Sequence, residues 1–181
     1  FRYGIREYRG EEMSMGPNSV IVIEGIHGLN EKLTSAVPSE NKLKIFVSAL
    51  TPMSLDNFNR IHTTDIRLLR RMVRDSQFRS HDAAMTIELW PSVRAGEDKY
   101  IFPFQEDANI FFNTSLIYEP AVLKKYAEPL LQAIKATEPS YTVARRLLDL
   151  LQLIKPLADD TIPLNSILRE FLGGSVFKDA L

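Results

Sequence analysis

The chain has 181 residues, a formal net charge of -1 and no cysteine. The near-neutral charge gives no bulk attraction to nucleic acid or to an anionic membrane, and the lack of cysteine excludes disulfides, thiolate metal sites and a cysteine nucleophile. With 45% hydrophobic and 25% charged residues the composition is that of a globular protein with a core. No apolar run approaches the ~20 residues that cross a bilayer and no secretory pattern opens the chain, so a cytoplasmic location is the expectation.

The segment Phe1 to Tyr8 mixes aromatic and basic residues. Ser19 to Gly25 reads S-V-I-V-I-E-G, four β-branched residues bounded by Pro17-Asn18 and Gly25, and this predicts a buried strand. A continuous apolar run of this kind suits a parallel strand covered on both faces. Lys42 to Leu50 and Ala108 to Phe112 predict two more strands. Helical patterns lie near 54–78, 81–95, 119–135, 140–155 and 164–172, and strands separated by helices indicate an α/β layered fold. From 136 onward the prolines at 139, 156 and 163 punctuate short helices. Ser140 is the candidate N-cap of a helix that turns Val143, Leu147, Leu150, Leu151 and Ile154 inward. Gly173-Gly174 marks a helix end. Residues 136–181 read as a helical extension packed on the sheet of a domain spanning 1–135.

The strongest chemical feature is a row of arginines. Arg67, Arg70, Arg71 and Arg74 stand at i, i+3, i+4 and i+7, within an arc of about 100° on a helix. Ile66, Leu69, Met72 and Val73 take the opposite side. Like charges at these spacings cost an isolated helix a few tenths of a kcal/mol per pair. Arginine binds phosphate oxygens bidentately and stays charged when partly desolvated, so an anion would repay that cost. Arg79 and His81 extend the cluster. A solvated helix whose arginines pair with Asp65, Asp75 and nearby acids explains the same spacing equally well.

Glu24 follows the first strand and precedes Gly25. Ligands of open α/β sheets bind beyond the carboxyl ends of strands. An acid there can hold Mg²⁺, directly or through water, beside a nucleotide, and Gly25 permits a turn with positive φ. A strand-end acid that caps a turn or pairs with a lysine is the competing explanation. His27 is a candidate ligand or substrate contact, or a structural histidine. No glycine is followed by lysine, so the 181 residues contain no G-x-x-x-x-G-K-[ST] loop for β- and γ-phosphates. Three histidines leave little basis for a His-rich metal site.

V-I-V-I-E-G-I-H-G-L-N (20–30), the following K-I-F-V strand, R-R-M-V-R-D (70–75) and Y-I-F-P-F-Q-E-D-A-N (100–109) together resemble the phosphoribulokinase/uridine kinase family of P-loop kinases, in particular its long bacterial uridine kinase-related members. The resemblance covers roughly residues 1–135. It implies a three-layer fold with parallel strands, ATP and Mg²⁺ as donor and cofactor, and a nucleoside such as uridine or cytidine as acceptor. Under it Glu24 is the acid that ends a Walker-B-like strand and organises Mg²⁺. Arg71 and Arg74 are lid arginines over the transferred phosphates, and Arg79 is a lid residue touching nucleotide or substrate. His81 stands where relatives often have arginine. Phe1 ends an aromatic segment that contacts the base, while Arg67, Arg70 and His27 are further candidates for nucleotide or substrate contact.

The family's P-loop and the carboxylate base for the ribose 5′-hydroxyl are expected upstream of the residue matching Phe1. The implied chemistry is in-line phosphoryl transfer by the longer protein, with this segment inactive alone. The alternative is a non-catalytic module on a kinase-like scaffold that binds RNA or another anion through the arginine face. If a strand and helix precede this segment, its sheet is left with exposed apolar surface, and the expectation is either a homodimer or a helical tail that covers the gap.

Overall fold

The computed structural model describes Gly10, Glu12 and residues 14–177. Its sheet has two parallel strands, β1 (Ile45–Ser48) and β2 (Ile110–Asn113), in the register Ile45 to Ile110 through Ser48 to Asn113. Two asparagines bracket the pair. The Asn109 carboxamide oxygen accepts the Lys44 N–H at 2.9 Å. The Asn113 carboxamide accepts from Leu50 N–H and donates to the Leu50 carbonyl, both at 2.9 Å. Side-chain amides thus continue the ladder where the strands end, which fixes the register.

Between the strands run α1 (Thr63–Phe78) and α2 (Ala83–Tyr100), and after β2 come α3 (Glu119–Gln132), α4 (Tyr141–Gln152) and α5 (Arg169–Leu172). The fold is therefore α/β, with helices linking parallel strands as the sequence predicts. The core lies among the helices, however. Ile66, Leu69, Met72 and Val73 of α1 are buried as expected and meet Val122, Leu123, Ala127, Leu147, Leu151, Leu168 and Phe171 in one cluster. The 136–181 extension packs on α1, α2 and α3, with α4 against α3 and α2, and α5 against α1. It was expected on the sheet. The apolar faces of α1 and α3 attract it instead, because they offer the larger buried area.

Four expectations differ from the structure in detail. Residues 19–25 form no strand, and Val20 and Val22 are each 85% exposed. A fully apolar strand needs a ladder partner and cover on both faces, and no described strand lies beside this one. Residues 54–62 are not helical. The Asp56 carboxylate accepts the backbone N–H groups of Phe58 and Asn59 at 2.8 and 2.7 Å, which offers the backbone an alternative to the helix. Helix α2 runs on to Tyr100 through Pro91 and Gly96, because its last turns place Glu97 in buried ion pairs. Helix α5 keeps only the last four residues of 164–172. It ends as predicted, with Gly173 and Gly174 at φ 82° and 71°, a conformation that favours glycine.

Helix α4 turns Leu147 and Leu151 fully inward, with Val143, Leu150 and Ile154 partly buried at the edge. Ser140 precedes it but makes no capping bond, and its buried hydroxyl has no partner. Its backbone is already helical (φ -73°, ψ -11°), whereas a capping side chain works from an extended conformation.

Candidate functional site: the arginine row of α1

Helix α1 is covered along much of its length by α2, α3 and α5. The arginine row therefore does not face open solvent, and each of its members meets a carboxylate. Arg67 pairs with Glu97, which is 4% exposed and also accepts from Arg94 Nη1 at 2.9 Å. Burial pushes the Arg67 guanidinium below its ordinary pKa, with the Glu97 charge pulling the other way. Arg70 is buried. Its Nε and Nη2 engage both oxygens of Glu119, which is wholly buried at the start of α3, and Nη2 also donates to the Thr114 carbonyl at 2.8 Å. This fork-to-fork geometry suits guanidinium and carboxylate alone.

Arg71 and Arg74 differ from these two. Their side chains are 23% and 26% exposed. Arg71 Nε lies 3.1 Å from Asp75, which is 0% exposed, without an aligned hydrogen bond. Arg79 at 3.2 Å and His81 at 3.9 Å converge on the same carboxylate. Both Asp75 oxygens, Arg71 Nε and His81 Nδ1 are buried and make no hydrogen bond. Asp75 thus gathers three basic side chains by charge, with donor and acceptor capacity left over. The turn that brings Arg79 and His81 back rests on the Asp75 carbonyl, which accepts their N–H groups at 3.0 and 3.3 Å, and on Ser80 at φ 54°.

Arg74 Nη1 donates to Glu170 Oε1 at 2.8 Å, and its Nε is buried and unpartnered. The Phe171 ring lies 5.9 Å from the Arg74 guanidinium carbon and 5.2 Å from that of Arg70, within cation–π reach. Glu97, Glu119, Glu170 and Phe171 are the partners that sequence reasoning missed. They stand 30, 49 and 96 residues from their arginines for the three acids, and no local spacing signals such pairs.

Glu24 and His27 sit apart from this cluster in sequence and are exposed. Gly25 has φ 140°, and the N–H of Gly28 closes a turn onto its carbonyl at 2.9 Å. The tight turn anticipated after Glu24 is thus present, though no strand leads into it. The His27 ring packs edge-on against Tyr100 at 4.7 Å between centroids, which ties the turn to the end of α2. Phe1 lies outside the described residues. No group of three or more acids and histidines is poised around a metal among the described residues. A lone exposed carboxylate fits Mg²⁺, which takes one or two protein carboxylates together with water and phosphate oxygens.

The model of the phosphoribulokinase/uridine kinase family matches residues 3–116. The chain belongs to this family. The match spans the Glu24 turn, both strands, α1 and α2, and it ends just before α3, so the family portion contains every predicted site residue except Phe1. Glu119, Glu170 and Phe171 lie beyond it. No curated protein and no solved structure matches the chain. Membership in this family makes the chain part of a kinase, with a nucleotide and an acceptor as its partners. No described helix is long and apolar enough to cross a membrane.

Proposed function

We propose that this chain supplies the lid arginines and the strand-end acid of a nucleoside kinase that transfers the γ-phosphate of ATP to the 5′-hydroxyl of uridine or cytidine. The observation that carries this is the contrast along α1. Arg67 and Arg70 are locked to buried glutamates, whereas Arg71 and Arg74 keep partial exposure and an unpartnered Nε each. The first two build the helix into the core. The second two present donors to an oxyanion.

Phosphoryl transfer asks little covalent chemistry of the protein and depends on positioning and on positive charge near the transferred oxygens. Arg71 and Arg74 provide the charge, and Asp75 is the positioning residue that holds Arg71, Arg79 and His81 in register. Glu24 would hold Mg²⁺, which neutralises phosphate charge when bound. The phosphate-binding loop is not among the 181 residues, and we take the β- and γ-phosphates to be held by residues outside this segment. The same reading places Val20 to Ile23 as a strand within the three-layer sheet of the assembled kinase, where both of its apolar faces would be covered.

Steady-state kinetics of the full-length protein test the proposal. Uridine or cytidine is phosphorylated at the expense of ATP, and Arg74→Ala lowers kcat by about 100-fold, the usual cost of one removed transition-state donor, with a smaller change in KM. ATP binding with every nucleoside left untouched would overturn the substrate assignment.

A further inference from the structure

We propose that Leu168–Leu172 is a displaceable cover over the phosphate side of α1, with the Glu170 carboxylate standing where a phosphate oxygen of the nucleotide is to bind Arg74. This rests on the reading of Arg74 as a phosphate ligand and adds a regulatory element to it. Three features distinguish the cover from the rest of the helical packing. It reaches Arg74 through one hydrogen bond, from Nη1 to Glu170 Oε1 at 2.8 Å, and leaves Nε unpartnered. A bidentate guanidinium–oxyanion pair would use two donors, as Arg70 does with Glu119, so a phosphate can outcompete this single contact. Glu170 is also the exposed partner of the pair, its side chain 39% open to solvent, so its release costs little desolvation.

The third feature is the shortness of the cover. Helix α5 has four residues and is bounded by Gly173 and Gly174, both at positive φ. Phe171 is its anchor, buried to 6% over the Arg70 and Arg74 guanidinium groups. Arg169 ties its other side by donating to the carbonyls of Asp159 and Ile162 at 2.9 and 2.6 Å. A one-turn helix held by one aromatic ring and a few polar contacts is drawn from the low-stability end of a fold and opens ahead of global unfolding. The cover lies beyond the family-matched residues, which end at 116. It is thus an addition by this chain to the face that the family portion provides.

Tripolyphosphate, a nucleotide's phosphate chain without base or ribose, separates the two claims. Its binding is measured by titration calorimetry on the full-length protein, with amide hydrogen exchange of residues 168–172 followed in parallel. The expected result is that Glu170→Gln tightens binding by about fivefold, the ratio for an ion pair worth about 1 kcal/mol. Arg74→Ala weakens binding in both backgrounds, and tripolyphosphate raises exchange in 168–172 of the unmodified protein. If Arg74→Ala leaves binding unchanged, the phosphate reading of Arg74 falls. If Arg74→Ala weakens binding while Glu170→Gln does not tighten it, or exchange in 168–172 stays constant, the cover is wrong and the phosphate reading stands. The exchange measurement needs no variant, so the proposal remains falsifiable even if Glu170→Gln misfolds.

Discussion

Arg70 and Arg74 are four residues apart on one helix and do different work. Arg70 is enclosed with Glu119, and removing one partner of such a pair strands a buried charge at a cost of about 3–5 kcal/mol. Arg70→Ala should lose about that much in urea denaturation, while Arg70→Met with Glu119→Leu should recover most of it by replacing both charges with apolar volume. Arg74→Ala, at a partly exposed pair, should lose no more than about 1 kcal/mol. Equal losses at Arg70 and Arg74 would refute this division of roles. Ser80 presents a second contrast. It is exposed and holds φ 54° without being glycine, a conformation that costs most side chains about 1–2 kcal/mol. Ser80→Gly should raise stability by up to about 1 kcal/mol after the entropy of the unfolded glycine is counted, and a fall in the melting temperature would contradict the strain. The spacing in the sequence placed all four arginines on one arc. It left open whether acids or phosphates meet them, since that is decided by Glu97, Glu119 and Glu170 arriving from distant elements.

Among the elements, α1, α4 and both strands were legible because each carries its own period or its own bounded apolar run. The row at 19–25 has an equally strong pattern and yet forms no strand, since a ladder needs a neighbour that no local pattern supplies. The helical extension is pinned by contacts that local patterns could not show. The Asp159 carboxylate accepts from Lys125 at 2.5 Å and from the Tyr126 hydroxyl, and these bonds hold its pKa down at about 2. The unfolded value is about 3.9. Asp159 therefore contributes stability that is fully present above pH 4 and is lost as pH falls through about 2. Asp159→Asn should flatten this part of the stability profile between pH 4 and 2. An unchanged slope would show that the Lys125–Asp159–Tyr126 contacts do not anchor the segment before α5.

At the scale of the whole molecule, the alternation of strands and helices gave the α/β class correctly but misplaced the centre of mass of the packing. The main cluster is drawn from helices α1 to α5 and the residues flanking them, and includes Ala144, Leu147, Leu168 and Phe171 of the extension. The sheet keeps Phe46 buried while Val47, Phe111 and Phe112 are more than half exposed. The family portion and the extension therefore meet on one helix, α1, whose inner face carries the core and whose arginines carry the proposed chemistry. The most direct test of that account is kcat for uridine phosphorylation by the full-length protein and its Arg74→Ala variant, with folding stability measured on the same samples. The account predicts a kcat about 100-fold lower with stability reduced by no more than about 1 kcal/mol. Undiminished kcat in a folded Arg74→Ala protein would contradict it.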